Sequence, residues 1–166
     1  MSLRTIAATA IVACLTLALA GCGKETDSGM KNTITSQEAN QRLDAYIQQA
    51  KSALSISLEL TGRDTDQPCD DPTDNGPKGR LIAGRSYKLT GTNKNSTASY
   101  FAKLKTWSTE NNFHILTEKH NPEYLWIEKR DDGFRLALQS NDLGEIYLDG
   151  SSPCVWRNGT PEPQQE

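Results

Sequence analysis

Four short apolar-rich runs, at residues 113–118, 124–129, 134–139 and 145–149, are separated by His120-Asn121-Pro122, Asp131-Asp132-Gly133 and Ser140-Asn141-Asp142. Strand-length runs at intervals of about ten residues, joined by connections too short for a crossover helix, predict an antiparallel meander. Within residues 124–129, Tyr124 and Trp126 share one face and Leu125 and Ile127 the other. Both faces are apolar, so this strand is expected to be central and covered at least in part on each side.

Ahead of the meander the periodicity is mixed. Thr35-x-x-Glu38 has the form of a capping box, and Ala39, Leu43, Tyr46, Ile47, Ala50 and Leu54 then recur at helical spacing. At Leu54 the period changes: Leu54, Ile56, Leu58 and Leu60 alternate with Ser55, Ser57 and Glu59, the pattern of a half-buried strand ended by Thr61-Gly62. Residues 63–79 are rich in Asp, Pro and Gly and are expected to be loop. A second strand is expected over residues 80–90, with Leu81, Ala83, Tyr87 and Leu89 inward and a bulge at Gly84. A second helix follows, capped by Ser96 or Thr97, with Tyr100, Phe101, Leu104 and Trp107 on one side and Asn111-Asn112 at its end. The order α-β-β-α-β-β-β-β predicts an α+β domain over residues 35–156: two helices packed on one face of a mainly antiparallel sheet, with one disulfide.

The N-terminus bears on location. Arg4 precedes an apolar run from Ile6 to Leu19 that closes on Leu19-Ala20-Gly21-Cys22, which has the form of a lipobox. The run falls short of the roughly 20 residues a membrane-spanning helix needs. Residues 1–21 are therefore expected to be a lipoprotein signal peptide, Cys22 the lipidated residue and residues 22–34 a flexible tether. Residues 157–166 are expected to form a disordered tail. The domain would then face outside the cytoplasm, anchored to the cell membrane by acyl chains. A net charge of -3 argues against nucleic acid and against electrostatic adhesion to anionic lipid. Of four cysteines, Cys14 lies in the leader and Cys22 is assigned to lipid. That leaves Cys69 and Cys154, for which an oxidising compartment makes a disulfide the default, over two free thiols or a metal site.

Little in the chain points to catalysis. His114 is expected on the outer face of its strand and His120 in a turn, and no Gly-x-Ser-x-Gly elbow is present. Glu118, Glu123 and Glu128 lie near turns or at exposed strand positions, where carboxylates are usually solvated. Gly76, Gly79 and Gly84 fit no phosphate loop. Asp71-x-Thr73-x-Asn75-Gly76 resembles the start of an EF-hand loop, but Pro77 and Gly79 occupy two ligand positions and Ile82 stands where the bidentate Glu is required. No catalytic residue, metal or cofactor is therefore expected. Among the aromatic residues Tyr87, Tyr100, Trp107, Tyr124, Trp126, Tyr147 and Trp156, most should be core. Tyr124, Trp126 and Tyr147 are the candidates for a binding surface on the open sheet face.

The lipobox, the short tether, the early cysteine in a loop, the order of elements and the Gly-x-x-x-Cys close at Gly150 to Cys154 together resemble the small actinobacterial lipoproteins of the mycobacterial LppA type. The resemblance implies the same fold and location, with Cys69 and Cys154 as its structural disulfide, and implies no activity. The expected function is that of a monomeric, membrane-anchored, non-catalytic envelope-binding domain. The alternative is an immunity- or inhibitor-type lipoprotein that blocks a toxin or hydrolase, with the acidic loop as its plug.

Overall fold

A computed structural model of the protein describes residues 31–62, 66–69 and 77–161. Helix α1 (Ser36–Leu54) starts where Thr35, in extended conformation, accepts the Glu38 N–H on its hydroxyl at 3.1 Å, half of the expected capping box. Its apolar stripe of Ala39, Leu43, Ile47, Ala50 and Leu54 is fully buried. The helix ends on Ser55, which adopts the left-handed conformation (φ 54, ψ 50). This turn delays strand β1 (Ser57–Gly62), so Leu54, which its spacing placed in both the helix and the strand, belongs to the helix as its last residue.

The main sheet has six antiparallel strands in the order β1-β4-β8-β7-β6-β5. Here β4 is Gly84–Thr90, β5 Phe113–His120, β6 Glu123–Lys129, β7 Arg135–Ser140 and β8 Ile146–Ser151. The meander β5 to β8 forms as its turn signals predict, and β4 and β1 extend it on the far side of β8. Helix α2 (Thr97–Glu110), entered through a 3-10 turn at Lys94–Ser96, carries the chain from β4 back to the opposite edge. Both helices lie on one face, giving the expected α+β architecture. Phe101 and Leu104 of α2 join the α1 stripe over Leu125, Ile127, Leu136, Leu138, Ile146 and Leu148 in one buried cluster. Burying each such side chain stabilises the fold by about 1.5–3 kcal/mol. At Gly150 a Cβ would lie 2.9 Å from Leu43 Cδ1 and 3.1 Å from both Ile47 Cδ1 and Leu136 Cδ2. The absent side chain is what lets α1 approach β8 so closely.

Several expectations are corrected. The run 80–90 is two strands, not one: β3 (Leu81–Ile82) pairs with β2 (Gln67–Pro68), a short strand inside the expected loop, and β4 begins only at Gly84. The break falls at Ala83, whose N–H donates to Ser152 Oγ at 2.9 Å while its carbonyl accepts the Ser152 N–H at 3.0 Å. Before that point Leu81 bridges to Val155, and after it Gly84 pairs with Ser151, so Gly84 opens a ladder where a bulge was expected. Strand β1 lies at the sheet edge, which leaves Leu60 47% exposed despite its alternation. Strand β5 runs to His120, so that histidine ends a strand. Strand β6 lies one place from the edge. Its Leu125 and Ile127 face is buried, while Tyr124 and Trp126 lie on a face that no helix or strand covers among the described residues. The expected central, doubly covered strand is not seen, because both helices take the same side.

Residues expected to be tether or tail are docked at the segments where they meet. The Thr33 N–H donates to the Gly159 carbonyl at 2.8 Å, the Ser36 N–H to that of Arg157, and the buried Trp156 donates its indole N–H to the Lys31 carbonyl at 3.1 Å. Cys69 and Cys154 are disulfide-bonded with Cα atoms 5.8 Å apart across 85 residues of chain. Such a closure contributes about 4.5 kcal/mol in the chain-entropy picture, and typically 2–5 kcal/mol is lost when a bridge of this kind is removed. The lipobox, Cys22 and the Asp71 to Gly76 stretch lie outside the described residues.

Candidate functional site

The open face of the sheet is organised by strand register. Residues directly opposite one another share a face, and the ladders align three rows of side chains across it. The first row is Lys119, Tyr124, Gln139, Tyr147, Lys88 and Glu59. The second is Thr117, Trp126, Ala137, Asp149 and Ser86. The third is His114, Glu128, Arg135, Ser151 and Gly84. All three aromatic residues singled out in the sequence, Tyr124, Trp126 and Tyr147, stand on this face.

Small residues sit where the central strands cross these rows. Ala137, Ser151 and Ser86 leave a floor between taller neighbours, and the result is a trough of about 490 Å³. Tyr124, Trp126 and Arg135 form one wall. Tyr147 stands outside the trough lining, on the rim, where its hydroxyl donates to Glu145 at 3.0 Å. The wall is braced: Arg135 Nε donates to Glu128 Oε2 at 2.6 Å and its guanidinium lies 5.4 Å from the Trp126 ring centroid. Lys119 lies 6.0 Å from the Tyr124 centroid.

Asp149 occupies the centre. Ser86 donates its hydroxyl proton to one carboxylate oxygen, and Gln139 Nε2 donates to the other at 2.6 Å. Burial, with the Asp149 charge as the smaller cause, pushes the Tyr124 phenol up from 10.0, so it stays a neutral donor at any physiological pH. Arg85 also borders the trough but turns its guanidinium to α1, where Asp44 at 3.0 Å and Asn40 at 2.8 Å hold it. The trough thus combines an aromatic wall, small floor residues and a fixed carboxylate, the mixture expected of a site that orients a small polar ligand. A second hollow, of about 470 Å³, lies along α2 beside Ala53, Ala102 and Trp107, with Ser99, Lys103, Thr106 and Glu110 around a mainly apolar surface.

His114 Nε2 lies 3.6 Å from Glu128 Oε1, an ion-pair distance too long for a hydrogen bond, and that carboxylate is already committed to Arg135. His120, Glu118 and Glu123 border a separate cleft below α2, where Lys105 donates to Glu118 and holds its carboxyl below 4.5. Neither histidine is brought to the trough. Among the described residues no three metal-ligating side chains converge.

Sequence reasoning missed Ser86, Arg135, Ala137, Gln139, Asp149 and Ser151. Their signal is present in β7 and β8, where Arg135, Ala137 and Gln139 alternate with buried leucines, and Tyr147, Asp149 and Ser151 with Ile146, Leu148 and Gly150. Alternation gives the face but not the neighbours, which only the register supplies. No family model, curated protein or solved structure matches the chain.

Proposed function

We propose that this chain is a lipid-anchored, non-catalytic binding domain of the bacterial cell envelope, and that it binds through the open face of its sheet. The observation that carries the proposal is the trough walled by Tyr124 and Trp126, in which aromatic surface and oriented hydrogen-bonding groups converge. An uncovered face of that composition is suited to recognition, since aromatic side chains supply contact area at little entropic cost. Location rests on Leu19-Ala20-Gly21-Cys22, together with the likeness to the small actinobacterial lipoproteins. From Cys22, even a fully extended chain holds Lys31 within roughly 32 Å of its lipid. The trough then lies near the membrane surface, within reach of envelope components.

Two measurements test this. Cys22→Ser should abolish incorporation of labelled palmitate and release the protein from the membrane fraction; continued incorporation would remove the anchor. A photo-crosslinking residue at Ser151 should capture an envelope component in live cells, and Trp126→Ala should weaken that capture. Capture that ignores Trp126→Ala and Tyr124→Ala would remove the binding face.

A further inference from the structure

We infer that the trough takes a neutral saccharide unit of an envelope glycan, an inference that rests on the open face being the binding surface.

The polar groups at the trough are already held by partners within the fold. Arg135 is bonded to Glu128 at 2.6 Å, Asp149 accepts from Ser86 and Gln139, and at the rim Lys88 is paired with Glu145. An anionic ligand would bring its charge against the fixed Asp149 carboxylate and would compete with Glu128 for Arg135. A neutral ligand meets neither obstacle.

The hydrogen-bonding capacity left over is of both signs and closely interleaved. Gln139 keeps its amide oxygen as an acceptor, and Asp149 retains lone pairs beyond the two already used. Arg135 bonds Glu128 through Nε only, so its terminal N–H groups remain donors, as does the Tyr124 hydroxyl. The Ser151 hydroxyl both donates and accepts. Groups that donate and accept at every position are hydroxyls, and a ring carrying several of them satisfies this pattern. An aliphatic ligand would leave the same groups desolvated and unpaired.

The wall supplies the third element. A pyranose ring has a C–H face that is apolar and slightly positive, and it packs on the negative π face of Tyr or Trp while its equatorial hydroxyls reach sideways to polar groups. Tyr124 and Trp126 stand beside Asp149 and Gln139 in the first two rows, which offers both contacts to a single ring. The floor of Ala137, Ser86 and Ser151 gives the ring its depth, and a trough of about 490 Å³ is within the range of small-ligand sites.

The test uses the full lipidated chain, exported by a bacterial host and purified in a sugar-free zwitterionic detergent. It is titrated by calorimetry with neutral tetrasaccharides of N-acetylglucosamine, α-glucose and α-mannose, and with tetragalacturonate as the polyanionic counterpart. At least one neutral tetrasaccharide should bind, with its Kd raised at least about tenfold by Trp126→Ala and by Ala137→Phe. The second substitution fills the trough without removing a hydrogen bond. Leu143→Ser, on an exposed turn away from the trough, should bind like the parent, and tetragalacturonate should not bind. The saccharide is overturned if no neutral tetrasaccharide binds, or if neither trough substitution weakens the binding. Retention of the chain on envelope fragments from the producing cells, measured in parallel, separates the two levels. If Ala137→Phe abolishes retention while every tetrasaccharide fails, the saccharide is overturned and the open face stands as the surface for another partner, such as a protein. Retention insensitive to Ala137→Phe, with no tetrasaccharide bound, overturns both.

Discussion

Glu145 takes three donors at once: Lys88 Nζ, Asn141 Nδ2 at 2.9 Å and the Tyr147 hydroxyl at 3.0 Å. Together they bring its carboxyl down from 4.5 to about 2, with the Lys88 hydrogen bond as the largest cause. The same bond raises Lys88 above 10.5, and the bond to Glu145 raises the Tyr147 phenol. A carboxyl whose folded pKa is depressed adds stability that is complete above its unfolded pKa and is lost as pH falls toward the folded one. Glu145 therefore adds to the acid sensitivity of the fold between about pH 4.5 and 2. Removing the principal donor with Lys88→Met should bring the carboxyl back up toward 4.5 and flatten the stability-pH curve in that window. Carbon-detected NMR titration of Glu145 reads the first effect and denaturant unfolding at each pH the second. A carboxyl still titrating near 2 without Lys88 would show that Asn141 and Tyr147 suffice. Gly150 depends on space instead of charge. Because its Cβ position lies 2.9 Å from Leu43 Cδ1 in a packed core, Gly150→Val should cost about 1–3 kcal/mol by overpacking, read from the urea midpoint.

Among the elements, α1 is closest to its sequence signature, because both its start and its buried stripe are written in local spacing. Thr35→Ala removes the acceptor of the Glu38 N–H and should destabilise the fold by about 1 kcal/mol, while Thr35→Ser should restore most of the loss. Equal stability of the two variants would deny the cap its role. The meander was legible for the same reason, since Pro122, Gly133 and Asn141 mark turns between neighbours in sequence. The break at Ala83 was not, because its cause is Ser152, 69 residues away. Nor was the exposure of Leu60, since alternation tells which face a residue takes and not whether the strand lies at an edge. The same limit applies to the trough. Tyr124 and Trp126 announce themselves as aromatic residues on an outer face. Ser86, Ala137, Asp149 and Ser151 become a floor and a centre only when β4, β7 and β8 fall into register.

The whole molecule is polar along its strands. At one pole the entering chain at Lys31 and Thr33 is clasped by Trp156 and Gly159, beside the disulfide of Cys69 and Cys154. At the other, one strand length of roughly 20 Å away, the turn between β7 and β8 carries Leu143, 68% exposed. The clasp joins the first described residues to the last ones, so under the proposed anchoring the chain from Cys22 enters the domain at the end that carries Arg157. If that end faces the membrane, the strands run away from the bilayer and the trough opens sideways, accessible from the envelope without being pressed against it. Depth-dependent quenching tests this directly. A fluorescent amino acid placed at the exposed Asn158 should be quenched by nitroxide lipids more strongly than one at Leu143, in vesicles carrying the full lipidated chain. Replacing Trp156 with Ala removes the indole bond to Lys31 and should narrow the difference by letting the domain swing on its entering chain. Equal quenching at the two positions in the parent protein would show that the clasped pole does not face the membrane.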